Sequence, residues 1–210
     1  MWSLSSLTKE ETDILIGSLL GDGCLRMMGR ATKPAFSVSH GEKEKQYVFW
    51  KYDRIKRFVR TPPWREVRIY HKDRSRRLAS WRFQTLTNDA FYRLYKSFYP
   101  HDKKVIPDSI VSLLNGRPLS LAVWLMDDGN KNHNAVFLNT QSFSFPEQKR
   151  LASALAEIYE FHVTLNKHSI SNGKQLYRIR IDTLSTRKLS EIVRAYILPE
   201  FRYKIPHLSP

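Results

Sequence analysis

Two aspartate–glycine pairs carry the strongest chemical signal in the sequence. Asp22-Gly23 and Asp128-Gly129 each follow a short apolar stretch that is typical of a helix. A carboxylate at the C-terminal end of a helix faces the negative end of the helix dipole, which is unfavourable. A divalent cation would offset that cost, because carboxylate oxygens are the ligands that Mg²⁺-like ions prefer. A turn between helix and strand would explain one copy, but two matching copies favour a metal site that hydrolyses phosphodiesters.

The elements that must position these aspartates recur in the same order along the chain. Each half is predicted to contain a helix, a strand pair, a second helix, a second strand pair and a third helix, which is an α+β pattern. Residues 15–23 align with 121–129, and residues 104–107 align with 203–206. The turn signal at Asn115–Pro118 separates the copies. We therefore predict an N-terminal half of residues 1–116 and a C-terminal half of residues 117–210.

Local patterns predict the individual elements. Thr8, followed three residues later by Glu11, forms a capping box that marks a helix start. Gly23 and Gly129 are expected to end the two motif helices in the left-handed conformation. The predicted helices are Thr8–Leu20, Glu42–Val59, Asn88–Phe98, Pro107–Leu114, Leu119–Met126, Pro146–Tyr159 and Leu184–Leu198. The predicted strands are a pair within Cys24–Ser39, and then Trp64–Tyr70, Leu78–Leu86, Ala135–Gln141, Val163–Ile170 and Gln175–Ile181.

The charge balance indicates a polyanionic partner. The 210 residues include 35 Lys and Arg against 20 Asp and Glu, which gives a net charge of +15 and a pI near 10.0. Lys51–Arg82 alone holds twelve basic and three acidic residues. Aromatic and β-branched residues alternate with these charges, so the segment is predicted to be a strand pair that presents Arg and Lys outward. Such a basic surface is typical of nucleic-acid binding.

The same composition excludes several classes of protein. Hydrophobic residues make up 41% of the chain, too many for a disordered basic tail. The single Cys24 excludes a disulfide framework and a zinc site built from several cysteines. No apolar run approaches the roughly 20 residues of a membrane span, and the N-terminus has no signal-peptide pattern. We expect an intracellular protein that associates with DNA and not with membranes, in a bacterial or phage-infected cytoplasm or in an organelle.

The residues around the second motif resemble those of one known family. Trp124–Gly129 has the pattern Trp-x-Met-Asp-Asp-Gly, and Leu138–Phe143 reads Leu-Asn-Thr-Gln-Ser-Phe. Together with the first motif, this makes the chain similar over its whole length to single-chain LAGLIDADG homing endonucleases. The resemblance implies two αββαββα halves related by a pseudo-twofold axis, with two antiparallel sheets that bind along the major groove of DNA. It also implies that the motif helices pack side by side through Gly17, Gly21, Ala122 and Leu125.

The resemblance assigns roles to individual residues. Asp22 and Asp128 would be metal ligands, each serving one DNA strand, with Gly21 and Asp127 as further members of the metal site. Lys104 and Lys204 match the active-site lysines of the family. His40 and Gln141 stand where the family often has a glutamine that orders water, and His40 departs from that residue type. The implied cofactor is Mg²⁺, with Mn²⁺ as a substitute and with Ca²⁺ supporting binding without cleavage.

The implied reaction is a staggered double-strand break with 3′ overhangs in a long, asymmetric DNA target. The chain holds both motifs, so we expect a monomer whose further partner could be intron RNA. The residues that we expect to contact DNA are Arg26, Arg30, Lys33, Ser37, Arg68, Arg76, Arg82, Asn132, Asn134, Lys167, His168, Arg178 and Arg180. The alternatives are a non-cleaving relative, acting as a group I intron maturase or as a DNA-binding regulator, a nuclease of another class, and a structural basic protein.

Overall fold

A computed structural model describes residues 7–29, 31–70 and 73–206, without the side chains of residues 70 and 73–76. The chain divides into two compact units, Met1–Lys96 and Ser97–Pro210. No helix in the part of the chain that the structure describes combines the length and apolar character that crossing a bilayer requires.

The N-terminal unit is built on one antiparallel sheet. Its strands are β1 (Cys24–Met27), β2 (Pro34–Gly41), β3 (Trp64–Tyr70) and β4 (Asp73–Gln84), in the spatial order β1-β2-β4-β3. Its helices are α1 (Lys9–Leu20), α2 (Lys45–Ile55) and α3 (Tyr92–Phe98), the last of which ends beyond the unit. Phe36, Val38 and Phe83 are buried on the face of the sheet that α2 covers.

The C-terminal unit repeats this arrangement. Its strands are β5 (Gly129–Asn132), β6 (Ala135–Leu138), β7 (Val163–Ser171) and β8 (Lys174–Ile181), in the order β5-β6-β8-β7. Its helices are α4 (Ile110–Leu114), α5 (Pro118–Asp128), α6 (Phe145–Tyr159) and α7 (Thr183–Val193), followed by a 3₁₀ segment, Pro199–Lys204. The matching strand order of two four-stranded antiparallel sheets confirms the predicted duplicated α+β fold.

The local signals that start helices behave as the sequence predicts. Thr8 and Glu11 form the capping box of α1, in which each side chain accepts a backbone N–H of the other residue. The carboxylate of Glu11 also accepts two hydrogen bonds from the guanidinium of Arg57, at 2.5 and 2.6 Å. Ser144 and Glu147 form the equivalent box of α6. The hairpin between β7 and β8 turns at Asn172 and Gly173, both with positive φ, as its Asn-Gly dipeptide predicts.

Several predicted boundaries were wrong. β4 begins at Asp73 and not at Leu78, because the backbone before Leu78 continues to pair with β3, Arg77 with Ile69 and Asp73 with Tyr70. β6 ends at Leu138 and not at Gln141, because the N–H of Thr140 turns back to the carbonyl of Leu138. The last helix ends at Val193 and not at Leu198, and a turn leads from it to the 3₁₀ segment. A 3₁₀ turn flanks α2 on each side, which shortens the helix predicted for Glu42–Val59.

The division between the units falls earlier than the predicted boundary between residues 116 and 117. The connecting segment is held by α6: the N–H of Ile106 donates to Glu147, and the hydroxyl of Tyr159 donates to the carbonyl of Leu114. Lys104, which the repeat assigns to the N-terminal half, therefore lies in the C-terminal unit. Halves of 1–116 and 117–210, as copies of an ancestral repeat, stay a prediction.

Candidate active site and nucleic-acid interface

The first aspartate lies on a tight turn that ends α1. The N–H of Gly21 donates to the carbonyls of Gly17 and Ser18, and the N–H of Gly23 donates to Ser18 at 2.7 Å. Asp22 projects from this turn with its side chain 48% exposed. A helix end of this kind presents carboxylate oxygens to solvent, where a hard cation can reach them.

The glycines after the two aspartates are required for a reason other than the predicted one. Neither Gly23 nor Gly129 has a positive φ, so the expected left-handed cap is wrong. A Cβ on Gly23 would lie 2.7 Å from the Cβ of Ser18, and a Cβ on Gly129 would collide with the carbonyl oxygen of Leu125. The chain folds back so closely on each motif helix that no side chain fits.

His40 links the first aspartate to a buried cation. It lies on the buried face of β2, with Nδ1 3.5 Å from Oδ2 of Asp22 and 3.5 Å from Oε2 of Glu44. Its Nε2 lies 3.2 Å from Nζ of Lys51. Lys51 is fully buried on α2, and its ammonium lies 4.4 Å above the ring of Tyr47. Because an ammonium group only donates, this contact makes Nε2 the acceptor and places the ring proton of His40 on Nδ1, facing the carboxylates.

The second motif has its own buried lysine. Asp127 and Asp128 form the last turn of α5 and are both half-buried. The ammonium of Lys204 donates to the backbone carbonyls of Met126 and Asp127. These carbonyls belong to the last turn of the helix, where a cation is favourable because it offsets the dipole. Lys204 thus places positive charge at the C-terminal end of α5, the helix end that carries Asp127 and Asp128.

Gln141 occupies the turn after β6. Its neighbour Thr140 is fully buried, and the Thr140 hydroxyl donates to Gln148 while accepting the N–H of Ile179. The turn is therefore fixed from two sides. Gln141 is half-buried, and its Oε1 has no hydrogen-bond partner within the described ranges. This amide oxygen is buried, so it lacks a hydrogen bond that a bound water or ligand would supply.

Lys104 lies on a segment that the start of α6 holds. Glu147 Oε1 accepts the N–H of Ile106 at 3.0 Å, and Arg150 donates to the carbonyl of Ile106 at 2.7 Å. Arg150 also pairs with Asp108 at 2.6 Å. Burial alone would raise the pKa of the Glu147 carboxyl, but hydrogen bonds from Ser144 and Ile106 lower it below its usual value. We name this set, Glu147, Arg150, Ile106 and Asp108, the α6 clamp.

Strand pairing shows which candidate DNA contacts share a face of the N-terminal sheet. Arg26 lies opposite Ala35, Ser37 opposite Gln84, and Arg82 opposite both Ser39 and Trp64. By alternation these residues and Arg68 lie on the face away from α2, which we call the open face. Lys33 precedes β2 and pairs with Asp89 at 2.5 Å. Arg30 lies outside the described residues, and so does the side chain of Arg76.

The C-terminal sheet also has an open face, on the side away from α6. Arg178 and Arg180 lie on this face, and the guanidinium carbon of Arg178 is 3.8 Å from the ring centroid of Phe137. Asn132, Asn134 and His168 are exposed. Lys167 pairs with Tyr177, whose ring packs against Phe145 of α6, so the register places Lys167 on the opposite face.

Sequence reasoning missed the residues that hold the candidate site groups in place. These residues are Glu44, Lys51, Glu147 and Arg150. The only sequence signal for Lys51 is its position four residues after Tyr47 on an otherwise apolar helix face. The motif residues Gly17, Ala122 and Leu125 are buried, and Gly21 is half-buried. Their predicted role in packing the motif helices together stays a prediction.

Comparison with known proteins gives consistent matches over most of the chain. The model of the LAGLIDADG DNA endonuclease family matches residues 12–189. The chain is 30% identical to DNA endonuclease I-ChuI of Chlamydomonas applanata, over 95% of this chain and 96% of that protein. It is also 30% identical to cytochrome b mRNA maturase bI2 of Debaryomyces hansenii, over 95% of this chain and 74% of that protein.

A solved structure agrees with the sequence matches. The homing endonuclease I-WcaI bound to its DNA recognition sequence superposes with a TM-score of 0.83 at 26% identity, covering 95% of this chain and 87% of that chain. The family model, the relatives and this superposition confirm the resemblance that the two motifs carry. The chain belongs to the LAGLIDADG DNA endonuclease family.

Proposed function

We propose that the protein is a sequence-specific homing endonuclease that makes a staggered double-strand break with 3′ overhangs in a long, asymmetric DNA target. The observation that carries this proposal is the duplicated helix end: an exposed or half-buried aspartate lies at the C-terminal end of each motif helix, in a basic chain of this family. I-ChuI is a DNA endonuclease and I-WcaI binds a DNA recognition sequence, which supports double-stranded DNA as the substrate.

Membership of the family indicates a requirement for a divalent metal, and the donor groups fit a hard cation. Asp22 and Asp128 would be metal ligands, one in each half and each serving one DNA strand, with Gly21 and Asp127 as further metal-site residues. We propose Mg²⁺ as the physiological ion, Mn²⁺ as a substitute, and Ca²⁺ as an ion that supports binding without cleavage. When bound, the cation would supply stabilisation of the negative charge that develops on the phosphate and on the leaving 3′ oxygen.

The two lysines would act on the phosphate charge. Lys204 donates to two backbone carbonyls of α5, so its ammonium has a fixed position beside the second motif. Lys104 is half-buried on the segment held by the α6 clamp. A cation that is already held in place stabilises the negative charge that develops on the phosphate without a cost of reorganisation. Each lysine is proposed to serve one DNA strand.

His40 and Gln141 would order the attacking water. The contact from Lys51 leaves the N–H of His40 facing Asp22, so His40 can donate but does not accept on that side. Gln141 has a buried amide oxygen without a partner among the described residues, which can accept a hydrogen bond from a bound water. The N-terminal half would therefore orient water with a hydrogen-bond donor, and the C-terminal half with an acceptor.

The open faces of the two sheets would bind the DNA. Arginine and lysine contacts to phosphates supply affinity, and side chains that reach base edges supply specificity. Arg26, Arg68, Arg82, Arg178 and Arg180 are the charged candidates that register places on these faces. We propose that the protein acts as a DNA-associated monomer, because one chain supplies both motifs.

The decisive experiment starts from a randomised duplex library selected for binding in Ca²⁺ and then transferred to Mg²⁺. Wild type is compared with Asp22→Asn, Asp128→Asn and the double variant, and Asp53→Asn on the exposed side of α2 is the matched control. We expect wild type and Asp53→Asn to cut one long sequence, and the motif variants to bind it without making a double-strand break. Normal cleavage of both strands by either motif variant would disprove the active-site assignment.

A second candidate function is assistance of intron splicing. It is favoured by the 30% identity to a cytochrome b mRNA maturase over 95% of the chain. Binding of a group I intron RNA by the double aspartate variant, measured against the selected DNA duplex, tests it. Specific RNA binding that survives loss of cleavage would support a dual role, and RNA binding no tighter than to an unrelated transcript would exclude it.

A further inference from the structure

An acidic residue stands in the middle of the basic surface of the N-terminal sheet. Glu66 lies on β3 between Trp64 and Arg68, two residues from each, so all three share the open face. Arg82, on the neighbouring strand β4, lies directly opposite Trp64 on the same face. An acid at this position repels the phosphates of any DNA that the sheet binds, so it needs a compensating role.

Glu66 holds two arginines at once. Its Oε2 lies 3.0 Å from Nη1 of Arg82 and 2.9 Å from Nη2 of Arg68. The guanidinium of Arg82 also lies over the ring of Trp64, 5.4 Å from the centroid. A hydrogen bond from Arg82, followed by charge interactions with both arginines, lowers the pKa of the Glu66 carboxyl below its usual value. We name Arg68, Glu66 and Arg82 the Arg–Glu–Arg bridge.

The two arms of the bridge differ in how firmly they are held. Arg82 is 23% exposed, and its Nε is buried without a hydrogen-bond partner in the described part of the chain. Arg68 is 68% exposed and depends on Glu66 for its ion pair. Arginine contacts guanine through two parallel hydrogen bonds to O6 and N7, and this contact requires a fixed orientation of the guanidinium. Fixing the side chains before binding removes an entropic cost from that contact.

We propose that Glu66 is a specificity-determining residue: it holds Arg68 and Arg82 in the orientation that contacts guanines in the major groove, and it lowers affinity for all other sequences. The inference rests on the proposed function, because it requires site-specific DNA binding by the open face. It predicts a guanine preference at two neighbouring positions in the half of the target bound by the N-terminal sheet.

The same sheet offers a matched control on its opposite face. Glu42 accepts from Arg65 Nε at 2.8 Å and from Trp81 Nε1 at 3.2 Å. Arg65 lies opposite Trp81, one position along β3 from Glu66, and therefore faces the helix side. Glu42→Gln removes one negative charge and one Glu–Arg pair from the same unit without touching the open face.

The experiment compares wild type, Glu66→Gln and Glu42→Gln by selection from a randomised duplex library in Ca²⁺ at fixed salt. Kd is then measured for the wild-type target, for its single-base variants and for a random duplex. For Glu66→Gln we expect base discrimination at the two guanine positions to fall by about tenfold. We also expect affinity for the random duplex to rise, because a charge that repels phosphate is gone. Glu42→Gln should keep the wild-type preferences.

A second variant tests one arm of the Arg–Glu–Arg bridge alone. It also keeps the inference testable if Glu66→Gln fails to fold. Arg68 is largely exposed, so Arg68→Gln should fold, and it should lose discrimination at only one position. The inference is overturned if Glu66→Gln raises affinity for every sequence equally with unchanged base preferences, or if Arg68→Gln leaves every preference intact. If wild type enriches no duplex, the proposed function fails, and the role of Glu66 fails with it.

Discussion

At the scale of single residues, the two halves differ most where water would be ordered. In the N-terminal unit, His40 lies between the carboxylate of Asp22 and the buried ammonium of Lys51. In the C-terminal unit, Gln141 presents an amide oxygen, and Lys204 is bound to the backbone of the motif helix instead. The two proposed active sites are therefore not chemical copies, and cleavage of the two strands should respond differently to substitution.

Lys51 is expected to act through His40. Lys51→Met removes the donor to Nε2 and frees the ring to change tautomer, so we expect the strand cut by the first motif to be cut about tenfold more slowly. In a His40→Gln background, which has no tautomer to fix, the same substitution should cost much less. Strand-specific rates for the two single variants and the double variant form a cycle that measures this coupling. Independent, additive effects would contradict the role of Lys51.

At the scale of elements, the first turn of α6 does more than begin a helix. Glu147 completes the capping box with Ser144 and accepts the N–H of Ile106, while Arg150 binds the carbonyl of the same residue. Both backbone groups of Ile106 are therefore held from one helix. This fixes the segment that carries Lys104 two residues earlier.

Substitution in the α6 clamp should slow cleavage of one DNA strand more than cleavage of the other. Arg150→Met leaves the carbonyl of Ile106 and the carboxylate of Asp108 without their cation, so the segment that carries Lys104 loses part of its support. We expect a nicked circular intermediate to accumulate, with an unchanged Kd for the target. Arg187→Met, on an exposed position of α7, is the control and should give the wild-type ratio of nicked to linear product. Equal slowing of both strands would show that the clamp only stabilises the fold.

The start of α1 should make stability depend on pH. Burial opposes ionisation of Glu11, but hydrogen bonds from Arg57 and Thr8 lower its pKa. Because the folded pKa lies below the unfolded one, this stabilisation is present above the unfolded pKa and is lost as pH falls through the folded value. Glu11→Gln should cost about 1 kcal/mol at pH 7, and the difference from wild type should shrink as the pH falls below the ordinary pKa of a glutamate, about 4.3. Urea unfolding across this range checks it, and a difference that persisted in acid would contradict it.

At the scale of the whole molecule, the net charge of +15 should dominate affinity for DNA. If the open faces neutralise six or more phosphates, affinity should fall by about a thousandfold between about 50 and about 200 mM salt. Kd measured for the selected target and for a random duplex over this range tests the claim. A flat response would show that the basic strands do not lie on DNA.

Local residue patterns predict the family, the duplicated α+β arrangement and the candidates for metal ligands and active-site lysines. These features are carried by residue types at short spacing, such as the capping box at Thr8 and the Asp-Gly pairs. They are visible because helix starts, turns and alternating strands depend on interactions between near neighbours. The predicted ends of the strands were less accurate, because pairing with a neighbouring strand determines where an exposed strand begins.

The residues that hold the candidate site groups in place are visible only in the three-dimensional contacts. The contact of Lys51 with His40, the α6 clamp on Ile106 and the Arg–Glu–Arg bridge each join residues far apart in sequence or on different strands. The structure also shows that Gly23 and Gly129 are required by close packing and not by a left-handed backbone conformation. In each case, strand register and helix packing determine which side chains meet, and no local pattern encodes either one.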